Sequence, residues 1–174
     1  MPSGIVLNYA RPQMDTTTSR RAPLVMGIAV FVLLLDQATK FWAESALTGR
    51  APIPILGTFL QLRLLYNPGA AFSIGAGSTW VFTIVAAVAV VLLARYGLQP
   101  QTKLRASALA MMLGGATTHL LDRLFRPPGF ARGHVVDFID YNGWFVGNVA
   151  DIALVCGAIL LVLLSFSPTK QPAS

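Results

Sequence analysis

The chain has 174 residues, enough for one domain, of which 55% are hydrophobic and only 11% charged, with a mean hydropathy of +0.63. Soluble domains average about 25% charged residues, so this composition excludes an ordinary soluble protein. The net charge of +6 comes without a basic stripe interleaved with aromatics, which argues against nucleic acid. One cysteine, Cys156, rules out an internal disulfide framework or a cysteine metal site.

Residues 1–22 are polar and carry Pro2, Pro12 and a run of threonines, which predicts a disordered tail. Four apolar segments follow, about Leu24–Ala43, Trp80–Arg95, Leu104–Phe125 and Trp144–Phe166, each read as a helix across a ~30 Å hydrocarbon core. Arg20 and Arg21 before the first segment suggest a signal peptide. Asp36 and Lys40 near its end, and the lack of a small-x-small site, favour a retained span instead. The connection 44–79 contains "TFLQLRLLYN" (Thr58–Asn67), where Gln61 and Arg63 alternate with large apolar residues. That pattern predicts a strand or two on the membrane surface. "NPGAAFSIG" (Asn67–Gly75) then signals a turn. The connection 126–143 is read as a loop, and 168–174 as a short tail. The expected fold is an all-α, four-span membrane protein, a single domain over residues 23–167.

Lys and Arg set the direction. Arg11, Arg20 and Arg21 precede the first span, Arg95, Lys103 and Arg105 surround the short link between spans two and three, and Lys170 follows span four. These should face the cytoplasm, which puts both termini inside and both long connections outside. At ~1.5 Å per residue, Asp36, Lys40 and Asp122 then lie near the outer interface. Asn148 and Asp151, in the first turns of span four, reach the same layer.

Ionisable groups at such depth are costly unless paired, and so mark function or a structural pair. Asp36 and Lys40, four apart, are read as an ion pair on one helix face. Asp122 beside Arg123 is read as a structural clamp. Asp140, next to the turn "YNG", is expected to be solvated. Asp137 in "GHVVDFI" and Asp151 in "GNVADIAL" instead have apolar neighbours. Desolvation lets a carboxyl hold its proton towards neutral pH. Two such acids brought together share one proton: one activates a water and the other polarises a carbonyl, the chemistry of an aspartic peptidase.

"LDQATK" (Leu35–Lys40), "NPGAAFS" (Asn67–Ser73), "GGATTHLLDR" (Gly114–Arg123), "GHVVDF" (Gly133–Phe138) and "NVAD" (Asn148–Asp151) occur in this order. With them, over about residues 24–166, the chain resembles the bacterial lipoprotein signal peptidases (signal peptidase II). The resemblance implies a four-helix intramembrane aspartyl peptidase of the inner membrane, with a small extracytoplasmic β-cradle between the first two helices. It implies removal of signal peptides from prolipoproteins before a diacylglyceryl-modified cysteine. The dyad falls on Asp137 and Asp151. Supporting positions fall on Asp36, Lys40, Asn67, Gly115, Asp122, Arg123 and Asn148, with His119 among them. No cofactor or metal is implied; the partners are the diacylglyceryl prolipoproteins and membrane lipid, and a monomer is expected.

The family pattern reads G-G-A-x-G-N-L-x-D-R. Here Thr118 stands for the usual Gly and His119 for the usual Asn, and Gly147 stands where Phe is common. Retained activity is expected, since both acids remain. Rival readings are a metal-dependent hydrolase, from the H-x-x-D pairs His119/Asp122 and His134/Asp137, and a small proton-coupled transporter. A Ser–Lys peptidase would need Lys40 and Ser73. A lipid-bearing substrate is expected to enter sideways past small residues such as Ala70 and Ala71.

Overall fold

The computed structural model describes residues 21–69 and 78–166. The expectations for the tails, for Ser73 and for Ala70 and Ala71 lie outside the described residues.

In chain order the elements are α1 (Ala22–Leu47), β1 (Ile53–Leu56), β2 (Leu60–Asn67), α2 (Thr79–Gly97), α3 (Lys103–Phe125), β3 (Val135–Tyr141), β4 (Phe145–Gly147) and α4 (Val149–Ser165). By length and composition α1 and α2 are apolar enough to cross a membrane, while α4 is apolar but shorter, at 17 residues. α3 has 23 residues and carries Lys103, Arg105, Asp122 and Arg123. The exposed faces are themselves apolar: Phe31, Leu34 and Phe41 on α1, Val91 on α2 and Leu163 on α4 all lie open. Such surfaces belong in lipid rather than water.

α3 is the hub, packed against α1, α2 and α4. Its sequence explains this. A Cβ on Gly114 would lie 2.7 Å from the Ala29 carbonyl of α1, and one on Gly115 would lie 2.9 Å from the Ala150 carbonyl of α4. The two glycines thus let backbones approach on opposite sides of one helix. Gly157 does the same from α4, where a Cβ would meet the Ala108 carbonyl at 2.8 Å. At the other end of the bundle Val25, Ala29, Ala106, Ala110 and Leu113 form a core with Val90 and Leu93 of α2.

The all-α expectation is corrected. The four strands form one antiparallel sheet in the order β1-β2-β3-β4, and half of it comes from the second connection. The β-cradle is therefore not confined to the segment between α1 and α2. Tyr141–Phe145 is a hairpin end: Asn142 and Gly143 have φ of +56° and +75°, the left-handed pair that a tight hairpin demands. Span four was expected from Trp144, but Phe145–Gly147 pairs with β3 and the helix starts at Val149. The sheet seats on the C-terminal end of α1, where Phe138 packs with Ala43 and Leu47 and meets Trp42 edge-on at 6.2 Å.

Asp140 is buried rather than solvated. Its Oδ1 accepts from the Gly143 N–H at 2.7 Å and its Oδ2 pairs with Arg63 Nε at 3.0 Å. The hairpin turn folds back over its own carboxylate, and β2 supplies the cation.

Candidate active site

α4 begins with a capping box. The Asn148 side-chain oxygen accepts from the Asp151 N–H at 3.1 Å, and Asp151 Oδ2 accepts from the Asn148 N–H at 2.9 Å. That reciprocal pair holds Asp151 in the first turn. The remaining atom of the Asn148 amide, Nδ2, donates across to Asp137 Oδ1 at 2.7 Å. Asn67, at the end of β2, donates from Nδ2 to Asp137 Oδ2 at 2.9 Å. β2 and β3 are in register with Leu65 opposite Asp137, so Asn67 reaches its acid diagonally across the ladder. Asp137 therefore accepts one amide on each oxygen.

Asp137 and Asp151 face one cavity of about 400 Å³. Its polar wall is Asn67, His119, Arg123, Asp137 and Asp151; the rest is chiefly apolar, with Phe82, Val85, Ala86 and Ala89 from α2 and Leu154 from α4. Burial pushes the Asp137 carboxyl from 3.8 up to about 6, and the nearby charge of Asp151 pushes it the same way. The amides of Asn67 and Asn148 and the imidazole of His119 oppose this without cancelling it.

Asp36, Lys40 and Asp122 form the floor. Lys40 Nζ lies 2.6 Å from Asp36 Oδ2 and 2.7 Å from Asp122 Oδ2, and all three side chains are almost fully buried. The Asp36–Lys40 pair read from the sequence is present, but Lys40 also serves a second acid on α3. Asp36 Oδ1 accepts the Ala150 N–H at 2.9 Å, so α1 helps hold the start of α4. Thr118 joins this floor: its hydroxyl donates to Asp36 Oδ2 at 2.6 Å and accepts from Gln37 Nε2 at 2.6 Å. The hydroxyl that replaces the usual glycine is thus fully partnered.

The Asp122–Arg123 clamp is corrected. Adjacent helix residues point about 100° apart and do not face each other. Asp122 pairs with Lys40 and, at 2.7 Å, with Arg126 Nε. Arg123 turns to backbone carbonyls instead, those of Asn67 and Gly133 at 3.1 Å each and that of Gly69. It also lies over the Phe82 ring, 5.8 Å from its centroid. One guanidinium thereby ties the end of β2 to the segment entering β3.

His119 points at Asp151, with Nε2 3.2 Å from Oδ1. His119 and Asp122 therefore do not act as a unit: the acid beside His119 is Asp151, and Asp122 belongs to Lys40 and Arg126. Among the described residues no group of three His, Cys, Asp or Glu side chains converges as metal ligands. Gly147 also finds an explanation. A Cβ there would lie 2.9 Å from Asp151 Oδ2 and 2.6 Å from the Phe145 ring. Phe145 fills the place a side chain at 147 would take. Gln37 and Arg126 were missed from the sequence. Gln37 donates to Asp122 at 2.9 Å, and Arg126 bridges Asp122 and Glu44. Gln37 lies inside the quoted "LDQATK", which was the available signal.

Residues 28–167 match the family described as signal peptidase (SPase) II. The chain is 43% identical over 164 residues to the lipoprotein signal peptidase of Rhodococcus jostii (strain RHA1), covering 94% of this chain and 80% of that protein. It is 47% identical over 164 residues to the lipoprotein signal peptidase of Mycobacterium avium (strain 104), covering 94% and 87%. A bacterial membrane enzyme solved by the in meso method at 2.3 Å superposes with a TM-score of 0.72 at 25% identity, covering 87% of this chain and 94% of that one. The sequence motifs, the four helices with their sheet and these likenesses agree: the chain belongs to the signal peptidase II family.

Proposed function

We propose that this chain is an intramembrane aspartic endopeptidase that removes signal peptides from prolipoproteins, cutting before the diacylglyceryl-modified lipobox cysteine. One observation carries the reading. Two acids on different elements, Asp137 of β3 and Asp151 of α4, face one largely apolar cavity and are joined through Asn148.

In this mechanism Asp137 carries the shared proton and Asp151 the charge. The buried environment of Asp137 favours its neutral form, while Asp151 meets a backbone N–H on one oxygen and His119 on the other. A water between the two gives a proton to Asp151 and adds its oxygen to the scissile carbonyl. Asp137 donates its proton to the carbonyl oxygen, giving a gem-diol. Collapse of the gem-diol breaks the C–N bond; Asp151 passes its proton to the leaving amine, and Asp137 regains one from the diol. Asn67 and Asn148 orient Asp137, and Arg123 fixes the backbone beside the cavity. Asp36, Lys40 and Asp122 lock α1, α3 and α4 together beneath it, and Gly115 lets α4 come close enough.

All four helices span the bacterial cytoplasmic membrane in this reading. The distribution of Lys and Arg supports a topology with both termini in the cytoplasm and the acid pair near the outer leaflet. The apolar wall supplied by α2 suits a lipid-bearing substrate arriving from the bilayer, and the chain acts as a monomer.

The test is cleavage of a diacylglyceryl lipobox substrate by the purified chain, beside Asp137→Asn and Asp151→Asn, with chelator present throughout. Cleavage by the parent that is lost in both variants supports the dyad. Full activity in either variant, or no cleavage by the parent, sinks the reading.

A further inference from the structure

His119 lies in the cavity wall and takes no part in the proton transfers above. It projects from α3 towards α4, Nε2 to Asp151 Oδ1, with its side chain 19% exposed. The other oxygen of Asp151 is already taken by the Asn148 N–H inside the capping box. A carboxylate held by one oxygen can still pivot about that bond. A second donor on the other oxygen, from a different helix, fixes its plane. Asp137 already has this two-sided restraint from Asn67 and Asn148. His119 completes the same arrangement for Asp151.

We propose that His119 is a positioning residue, donating from Nε2 to Asp151 and fixing the carboxylate that faces the scissile bond. The inference rests on the peptidase reading of the same cavity. It also gives His119 a specific demand on geometry. Glutamine places its amide nitrogen about where Nε2 lies, whereas alanine offers no donor.

Cleavage of a diacylglyceryl lipobox peptide by the parent, His119→Ala and His119→Gln tests it. The alanine variant should lose kcat about ten- to a hundredfold, the worth of one hydrogen bond to a charged group, with KM little changed. The glutamine variant should recover most of that loss. Parent-like kcat in the alanine variant, a loss confined to KM, or a glutamine variant no better than alanine overturns the proposal. If Asp137→Asn is inactive while His119→Ala is not, the peptidase reading stands and this inference falls.

A second measurement needs no substrate. The chain has two histidines, so imidazole 15N labelling reports His119 and His134 alone. Asp151→Asn should shift the His119 Nε2 resonance and leave those of His134 in place. An unmoved His119 resonance overturns the pairing, whether or not the parent cleaves anything.

Discussion

Asn148 donates to Asp137 across 2.7 Å with the same amide whose oxygen caps the helix carrying Asp151. A single side chain thus couples the start of α4 to β3, an inner strand of the sheet. The two functions can be separated. Serine keeps an oxygen for the Asp151 N–H but is too short to reach Asp137. Asn148→Ser should hold its melting temperature near that of the parent while cleavage falls about three- to tenfold, the worth of one ordinary hydrogen bond, since Asp137 is the neutral acid in the proposed mechanism. Asn148→Ala should lose the cap as well, costing about 1 kcal/mol of stability. Thermal unfolding in detergent beside cleavage rates checks both.

Lys40 lies between two buried acids on different helices, Asp36 and Asp122. Lys40→Met removes it and leaves Asp36 and Asp122 facing each other, with Arg126 and Gln37 on the Asp122 side only. The expected cost is about 3–5 kcal/mol, that of breaking a buried pair. Adding Asp36→Asn should recover part of it. Unfolding midpoints of the single and double variants decide, and equal midpoints would argue against a structural role for the pair.

Gly115 and Gly27 offer a matched comparison within one bundle. A methyl group on Gly115 would press on Leu154 at 2.8 Å and on the Ala150 carbonyl at 2.9 Å, just before Asp151. Gly115→Ala should therefore cost about 1–3 kcal/mol and lower cleavage, since α4 must shift with its acid. Gly27 has nothing within 4 Å of an added Cβ. Gly27→Ala should be neutral or gain up to about 1 kcal/mol from helix propensity.

Asp137 also makes a prediction about pH. Its carboxyl rises from 3.8 to about 6 on folding, so the folded chain holds a proton that the unfolded chain releases in that window. Stability on this account is full below about pH 4 and falls as pH rises towards 6. The displacement corresponds to about 3 kcal/mol. Asp137→Asn removes the group, so its stability should change less between pH 4 and pH 7 than that of the parent. Parallel pH dependence of the two would contradict the assignment.

Much of the site was legible because its motifs are local. Asp36 and Lys40 meet on one helix face by spacing alone, and "NVAD" spells its own capping box. Where sequence reading failed, the missing information was tertiary. Asp122 reads as the partner of its neighbour Arg123, but helix geometry separates them and the true partners are Lys40 on α1 and Arg126 just past the end of α3. Asp140 reads as solvated from its place beside the turn "YNG", and its cation, Arg63, sits on a strand from the other connection. The β3–β4 hairpin was hidden by hydrophobicity. "WFVGNVADIAL" reads as one apolar run, and a short apolar strand cannot be told from the start of a buried helix by periodicity. The Asn142–Gly143 pair between apolar stretches was the signal for a hairpin.

The sheet takes β1 and β2 from one connection and β3 and β4 from another, and Asp137 meets Asp151 only where the last strand hands over to the last helix. Asn67 is therefore synthesised long before the acid it orients. A chain still emerging from the ribosome, with three helices threaded and the fourth unmade, owns half a pair and no cavity wall from α4. In the proposed mechanism, proteolytic competence is thus a property of the finished chain. An unfinished chain in the membrane is inactive in this mechanism, and the final helix acts as the arming step.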